Sequence, residues 1–450
     1  MFKCQKTQTL KINMNLHSSS TNQNYIAFGS IKKRTWNLFL PFCIFVSLSS
    51  FNAPAQKTYE WPCFHGPDRT NKSTETGLIK EWPTDGPNLL WTSSGLGEGY
   101  SSVSFGGGLL YTAGMYNDQT YVFSFDSEGK PVWRKPNGKA WSTTLSYASS
   151  YTGARSTPTY DDGVLFHLGE RGRLAAFDSK TGEELWHREL VPDFEVEPPE
   201  YGYSESVLID GDNLFVRPFG KKGFQVCLNK RNGELIWANT EISGTPGYNS
   251  MVIDELGGCR QIIGSSSNCF YSVDTRTGKL LWKVDVVNQR ELNISDAIVY
   301  NDYVFISSGY GKGSLLVKLK SSGKAIAPET VWQSTLMDNH HGGIILHNGY
   351  LYGSGSNSRG WFCLDFLTGK QVWKTDGKGS VTYADGMLYM LDERGTMKLV
   401  RAVPDKYEVS GEFKVPEGGE GMYWAHPVVY SGKLYIRHAD KLYAYDISEK

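Results

Sequence analysis

The 450-residue chain carries no excess charge of either sign: 46 Lys and Arg stand against 47 Asp and Glu, a formal net charge of -1. A nucleic-acid binder needs a basic excess or a basic stripe, so that class is excluded. Cysteine is scarce, at seven, and no two are adjacent or spaced C-x-x-C, which removes the usual zinc and thioredoxin patterns. No apolar run reaches the roughly 20 residues that a membrane-spanning helix requires. No window carries an apolar stripe of helical period, so helices should be few. Proline, at 18, is ordinary, and a collagenous or linker-like chain is excluded with it. What is abundant is glycine, at 49, and tryptophan, at 13, in a chain that is 40% hydrophobic and 13% aromatic. Length alone suggests about three domains at roughly 150 residues each, yet all-β chains often exceed that as one domain. The composition reads as many strands joined by tight turns.

The first 55 residues contain six basic side chains and no acid. Lys32-Lys33-Arg34 precedes a short apolar run, Leu38 to Leu48, and then Ala53-Pro54-Ala55. A basic region, an apolar core and a small-x-small site together describe a secretory signal peptide cleaved near Ala55. Cys43 sits inside the run behind bulky Phe42, which is not a lipoprotein site, and Met14 offers a second start. The expected product is an exported, periplasmic or extracellular, mildly acidic protein, monomeric and without a membrane span. Its five cysteines are Cys63, Cys227, Cys259, Cys269 and Cys363. A hairpin over 260–274 would set Cys259 beside Asp274 rather than Cys269, so all five read as packing residues.

Internal repetition decides the fold. Ala176-Phe177-Asp178-Ser179-Lys180-Thr181-Gly182-Glu183-Glu184-Leu185-Trp186 recurs with Asp274, Thr277, Gly278 and Trp282, and again with Asp365, Thr368, Gly369 and Trp373. Near copies carry Asn229, Gly233 and Trp237, or Asp126, Gly129 and Trp133. A degenerate copy with a longer turn ends at Trp332, and the last has Phe413 in place of Trp. With Trp91 the marks recur about every 40–50 residues, the period of four-stranded propeller blades. In each copy Asp accepts backbone N–H groups at a turn and Gly supplies a positive φ. The Trp of each copy (Trp91, Trp133, Trp186, Trp237, Trp282, Trp332, Trp373) lies on the outermost strand and docks against a neighbouring blade.

The chain ends in a strand, Lys441 to Asp446, that lacks its Gly-to-Trp half, and that half stands near the start as Asn88 to Trp91. The expectation is an all-β, eight-bladed β-propeller over 88–450, its last blade closed by N- and C-terminal strands. Residues 56–87 would be an N-terminal extension packing on it. Ring closure removes exposed sheet edges.

The A-x-D-x-x-T-G-x-x-x-W motif resembles the tryptophan-docking repeat of the pyrroloquinoline-quinone (PQQ)-like β-propellers, over roughly Trp61 to Lys450. The stretch Trp61 to Arg69, Asn339 to Gly343 and Ser307 to Gly311 are similar to exported bacterial members of that family. The resemblance implies the fold. It extends both to quinoprotein alcohol dehydrogenases and to the propeller subunit of the outer-membrane barrel-assembly machinery, which takes no cofactor. The dehydrogenases carry vicinal cysteines, calcium and a catalytic Asp; no Cys-Cys dipeptide occurs here, and no motif transfers a calcium ligand or the catalytic Asp. The family reading is therefore a non-catalytic binding or scaffold propeller of the cell envelope with no cofactor, the alternative being a PQQ- and calcium-dependent dehydrogenase.

Segments leading into the innermost strands would gather at one mouth of the central tunnel. They carry Tyr100, Arg155, Tyr203, Glu205, Tyr248, Asn249, Asp296, His340, His341, Tyr423, Trp424 and His426, a set suited to a small polar ligand or a peptide. His340 and His341 read as a metal pair, or as one residue facing the tunnel while the other packs, since neighbours on a strand point to opposite faces. Glu205 and Asp296 read as an acid/base pair or as acids capping backbone amides; metal oxygens from Glu205, Asn249 and Asp296 are a further option. Arg155 reads as a ligand clamp or an inter-blade ion pair. Trp424 and His426 read as a ligand shelf or a packed corner. Insertions at 138–154, rich in Ser and Tyr, and at 191–200 are candidate recognition loops for an envelope partner.

Overall fold

A computed structural model describes residues 60–148, 151–322 and 325–449. The expected leader and its cleavage point near Ala55 lie outside the described residues.

The described chain forms eight sheets of consecutive antiparallel strands. Blade one runs over residues 104–139, and blades two to seven follow over 159–189, 208–239, 252–285, 298–334, 344–375 and 379–414. The innermost strands run from three residues, as in Thr159–Asp161 and Leu208–Asp210, to six in Gly379–Ala384. Blade eight is built from both ends: Val428–Tyr430, Lys433–His438 and Lys441–Asp446 are joined on the outside by Asn88–Ser94. Leu89 pairs with Tyr445 and Thr92 with Tyr443, antiparallel. The fold is thus an all-β, eight-bladed propeller of four-stranded blades closed by its termini. Among the described residues the one α-helix is the five-residue Leu190–Phe194.

The repeat explains how blades lock. At the blade-two turn, Asp178 Oδ1 accepts the Thr181 N–H at 2.8 Å and the Thr181 hydroxyl at 2.9 Å; Asp274 and Asp365 do the same. Gly182, at φ +68°, lies flat on the indole of Trp133, where an added Cβ would meet ring carbon at 2.7 Å. The Trp133 indole N–H then donates to the Ser179 carbonyl of that turn at 3.0 Å. Trp91, Trp186, Trp237, Trp332 and Trp373 likewise donate to a carbonyl of the following blade. Trp282 departs from the rule. Blade five has long strands, Gly313–Ser322 and Ala325–Ser334, in place of the short turn, and the Trp282 N–H bonds Gln261 in its own blade at 2.9 Å. Phe413 packs on Trp82 and Tyr445 instead.

The hairpin over 259–274 sets Cys259 Sγ 3.6 Å from Asp274 Oδ2, and Cys63, Cys227, Cys269 and Cys363 are free thiols. Apolar layers between successive blades form the core.

Residues 61–73 run down the ring's centre and bond to every blade. The Phe105 and Tyr160 N–H groups donate to the Trp61 and Pro62 carbonyls, each at 2.7 Å. Arg69 donates to Ser206 O at 2.9 Å, Met251 O at 3.1 Å and Val207 O. His65 Nδ1 lies 3.1 Å from Asp296 Oδ2 and His65 Nε2 lies 2.9 Å from His426 Nδ1. Lys72 Nζ donates to Leu346 O at 3.2 Å, Asn71 Nδ2 to Val381 O at 2.6 Å, and Lys72–Ser73 pair in parallel with the innermost strand of blade seven. His65, Arg69 and Asn71 hold left-handed backbone, φ 66°, 51° and 54°, which side chains other than Gly rarely adopt. The segment corks the tunnel.

Candidate functional site

Above the cork opens a cup of about 750 Å³, floored by Phe64 and His65. It lies within the size range of small-molecule sites. A separate cavity of about 450 Å³ lies past His65, along Asp68, Arg69 and the innermost strands of blades five and six.

Most of the expected tunnel-mouth residues meet in the cup: Arg155, Asn249, Asp296, His340, His341, Trp424 and His426 all line it. Glu205 does not. It is sealed behind the wall with Arg217, whose Nε lies 2.5 Å from Glu205 Oε2 and whose backbone N–H donates to Oε1 at 2.7 Å. Glu205 and Asp296 are therefore not a facing acid/base pair. Tyr203 and Tyr423 also turn away: the Tyr203 hydroxyl donates to Pro218 O at 2.7 Å, and Tyr423 stacks on His438 at 3.6 Å.

His340 and His341 require a correction. They sit in a bend, not a strand, so the alternation of faces does not apply, and both rings line the cup with their Nδ1 atoms 3.3 Å apart. Tyr310 OH lies 2.8 Å from His340 Nε2, and the His341 ring packs edge-on to Trp424 at 4.5 Å. Burial, with Lys378 nearby, pushes His340 down to about 3; burial beside His65 pushes His426 down to about 3; burial, His340 and Lys378 push His341 well below its ordinary value. At neutral pH these three imidazoles are uncharged hydrogen-bonding groups.

Arg155 forms no ion pair among the described residues. Its Nη1 and Nη2 donate to the Tyr201 and Tyr151 carbonyls, each at 2.5 Å, and its guanidinium sits 4.6 Å over the Trp141 ring. Around it stand two aromatic walls. Tyr100 and Tyr151 pack on Trp424 at 5.2 and 5.1 Å, and Tyr201 meets Tyr248 at 5.9 Å. Lys378 pairs with Glu393 at 3.1 Å, and the Trp424 indole N–H donates to the same carboxylate at 2.9 Å.

Sequence reasoning did not select Phe64, His65, Tyr151, Tyr201, Arg290, Tyr310, Lys378 or Glu393. Tyr151 belongs to the Ser/Tyr-rich insertion at 138–154, which was a visible signal. Phe64 and His65 lie in the stretch Trp61 to Arg69, which the family resemblance marked, but no periodicity places at the site a segment that bonds through single contacts to every blade.

Most of the oxygens that could hold a cation are engaged; Asp296 Oδ2, beside His65, makes no hydrogen bond among the described residues. Asn249 Oδ1 accepts from Arg217 Nη1 and from the Ser265 hydroxyl, each at 2.7 Å. Asp296 accepts the Ser250 N–H at 2.6 Å and faces His65. Among the described residues no group of three or more His, Cys, Asp or Glu is placed to hold a metal ion. A flat ring inserted between two others needs them about 7 Å apart, twice the contact distance. Here Tyr151 lies on Trp424 at 21°, already stacked, and Tyr201 crosses Tyr248 at 72°. The donor set and the ring geometry do not fit a calcium-held quinone.

Similarity to known proteins follows the fold. The family model described as outer membrane protein assembly factor BamB matches residues 83–188 and 118–375, more than half of the chain. A quinoprotein ethanol dehydrogenase of Pseudomonas aeruginosa is 29% identical over 227 residues, 47% of this chain and 35% of that protein. The outer membrane protein assembly factor BamB of Shewanella oneidensis is 21% identical over 271 residues, 56% of this chain and 65% of that protein. The chain therefore spans about a third of the dehydrogenase and just under two thirds of the assembly factor. The quinohemoprotein alcohol dehydrogenase of Comamonas testosteroni superposes with a TM-score of 0.61 at 12% identity, over 88% of this chain and 82% of that one, a likeness of fold. No helix among the described residues is long and apolar enough to cross a membrane. With its family model matched across seven of the docking tryptophans' blades and its ring closed as described, the chain belongs to the family of the outer membrane protein assembly factor BamB.

Proposed function

We propose that the protein is an exported, non-catalytic propeller of the cell envelope that binds a small polar ligand in the corked cup. The observation that carries this reading is the contrast between the cup's wall and what lies behind it. The wall presents rings, uncharged imidazoles and a guanidinium that bonds only neutral carbonyls among the described residues. Of the oxygens the sequence offers to a cation, those of Glu205 and Asn249 accept from Arg217 and Asp296 Oδ1 accepts from the Ser250 N–H. A pre-formed concave site with a few convergent polar groups is the ordinary form of a ligand site.

The family supports a second activity on the outer surface, as a scaffold for an envelope protein. Leu89, Leu185, Leu235, Ile236, Val331 and Val372 are exposed on the outermost strands, an apolar belt around the ring that gives such docking a physical basis.

The test against the dehydrogenase alternative uses purified protein mixed with PQQ and calcium. Gel filtration should separate the quinone from the protein, and added alcohols should reduce no dye. Stoichiometric retention with alcohol-dependent dye reduction, lost in Asp296→Ala, would overturn the non-catalytic reading.

A further inference from the structure

We infer that the ligand of the cup is an acidic saccharide, its carboxylate held by Arg155 and its ring faces laid on Trp424 and Tyr201. This rests on the cup being a ligand site, as proposed above.

The first ground is charge. Both hydrogen-bond acceptors of the Arg155 guanidinium are neutral carbonyls. The carboxyl that bears on it most, Glu170, is buried, bonded by the Thr120 hydroxyl and pushed upward by that burial, and stands outside ion-pair distance. A half-buried cation with no ion-pair partner among the described residues is incompletely compensated, and a carboxylate arriving from the cup would supply a counter-charge through charge-assisted bonds. Arg290 lines the same side of the cup, exposed and without an ion pair among the described residues. Against Arg155, Arg290 and Lys378 the cup sets two carboxylates, Glu393, paired with Lys378, and Asp296, beside His65. The surplus in the cup is cationic.

The second ground is shape. The rings form two groups, Tyr100 and Tyr151 with Trp424 and Tyr201 with Tyr248, and Arg155 bonds the carbonyls of Tyr151 and Tyr201, one from each. Burial pushes Tyr248 up to about 12 and raises Tyr100, so both phenols stay protonated donors. Asn249, 1% exposed, lines the cup with its Nδ2 unpartnered among the described residues. Aromatic faces for C–H surfaces, rim donors for ring hydroxyls and a guanidinium for a carboxylate are the complement of a uronate. A flat aromatic acid lacks a slot here, and an extended peptide cannot cross a cup floored by Phe64 and His65.

Calorimetry with digalacturonic acid, the same disaccharide after carboxyl reduction, PQQ without metal, and a proline-rich peptide tests the inference. Digalacturonate should bind, weakening with salt, and the reduced disaccharide should bind about tenfold or more weakly, the worth of one charge-assisted bond. Arg155→Gln should abolish that preference while leaving the melting temperature within a few degrees. Arg290→Gln, whose side chain makes no hydrogen bond among the described residues, should reduce it in part. Equal affinity for acid and reduced sugars would overturn the inference and leave the cup as a neutral-ligand site. Binding of PQQ or the peptide in preference to both sugars would overturn it in the same way. If no probe bound and Arg155→Gln also melted as the wild type with its cup empty of any ligand by native mass spectrometry from the host, the ligand-site reading would fall with it.

Discussion

Arg217 and Glu205 close on each other inside the ring, Nε to Oε2 at 2.5 Å, with both side chains at most 2% exposed. The guanidinium also reaches Asn249 and the Ser265 carbonyl, so one cation ties the innermost parts of blades three and four together. It occupies oxygens of Glu205 and Asn249 that the sequence offers as possible metal ligands.

Removing one member of that pair leaves a buried, uncompensated charge. Glu205→Leu should destabilise the protein by about 3–5 kcal/mol, and Glu205→Leu with Arg217→Met should recover most of the loss. Urea midpoints of the two variants check this. A double variant no better than the single would show that the pair's bonds to Asn249 and Ser265 matter more than its charge.

The docking tryptophans are not equivalent. Trp282 is 3% exposed while Trp91 is half-buried. Trp282→Ala should cost about 3–5 kcal/mol, as for a fully packed aromatic, and Trp91→Ala less. The order of the two unfolding midpoints is the readout.

Closure by the termini has a direct consequence for truncation. Deleting residues 440–450 removes the strand Lys441–Asp446 that pairs with both Lys433–His438 and Asn88–Ser94. The product should be insoluble or lose many degrees of melting temperature, because two sheet edges open at once. An unchanged melting curve would contradict the pairing.

His340 and His426 accept protons only near pH 3 in the folded protein, against 6.5 for the ordinary imidazole. Between those values the unfolded chain holds more protons than the folded one, so stability is full above about pH 6.5 and falls as pH drops toward 3. The slope is about 1.4 kcal/mol per pH unit per group. Urea midpoints at pH 7.5 and 5 should differ accordingly, and His340→Gln with His426→Gln should reduce the difference, with buried His341 and His167 supplying what remains.

The ring was legible because its chemistry repeats. Asp178, Gly182 and Trp133 meet through a turn that the sequence writes several times, and the split between Asn88–Ser94 and Lys441–Asp446 could be read from a half-repeat at each end. The cup was legible only in part. Arg155, Asn249 and Trp424 follow from their place before innermost strands, a matter of register. His340 and His341 were misassigned because strand alternation was extended into a bend. Arg217 ends the apolar strand Asn213–Val216, and nothing local distinguishes a buried charge there from an exposed one. Its partners lie 12 and 32 residues away. The cork left no periodic trace at all, since its bonds are single and its partners are scattered across the whole chain.

The cork also governs how the molecule can be assembled. Residues 61–73 are synthesised before every blade, yet His65 waits for a partner 361 positions later and Asn71 for one 310 positions later. Contacts of such separation must overcome the entropy of closing a very long loop before they return any energy. The ring's centre and its eighth blade are thus completed by the same late arrivals, residues after about 380. A nascent chain stopped short of them would have stacked blades but neither a filled axis nor a closed circumference. Folding of this propeller is therefore expected to finish in one cooperative step, after synthesis, rather than blade by blade.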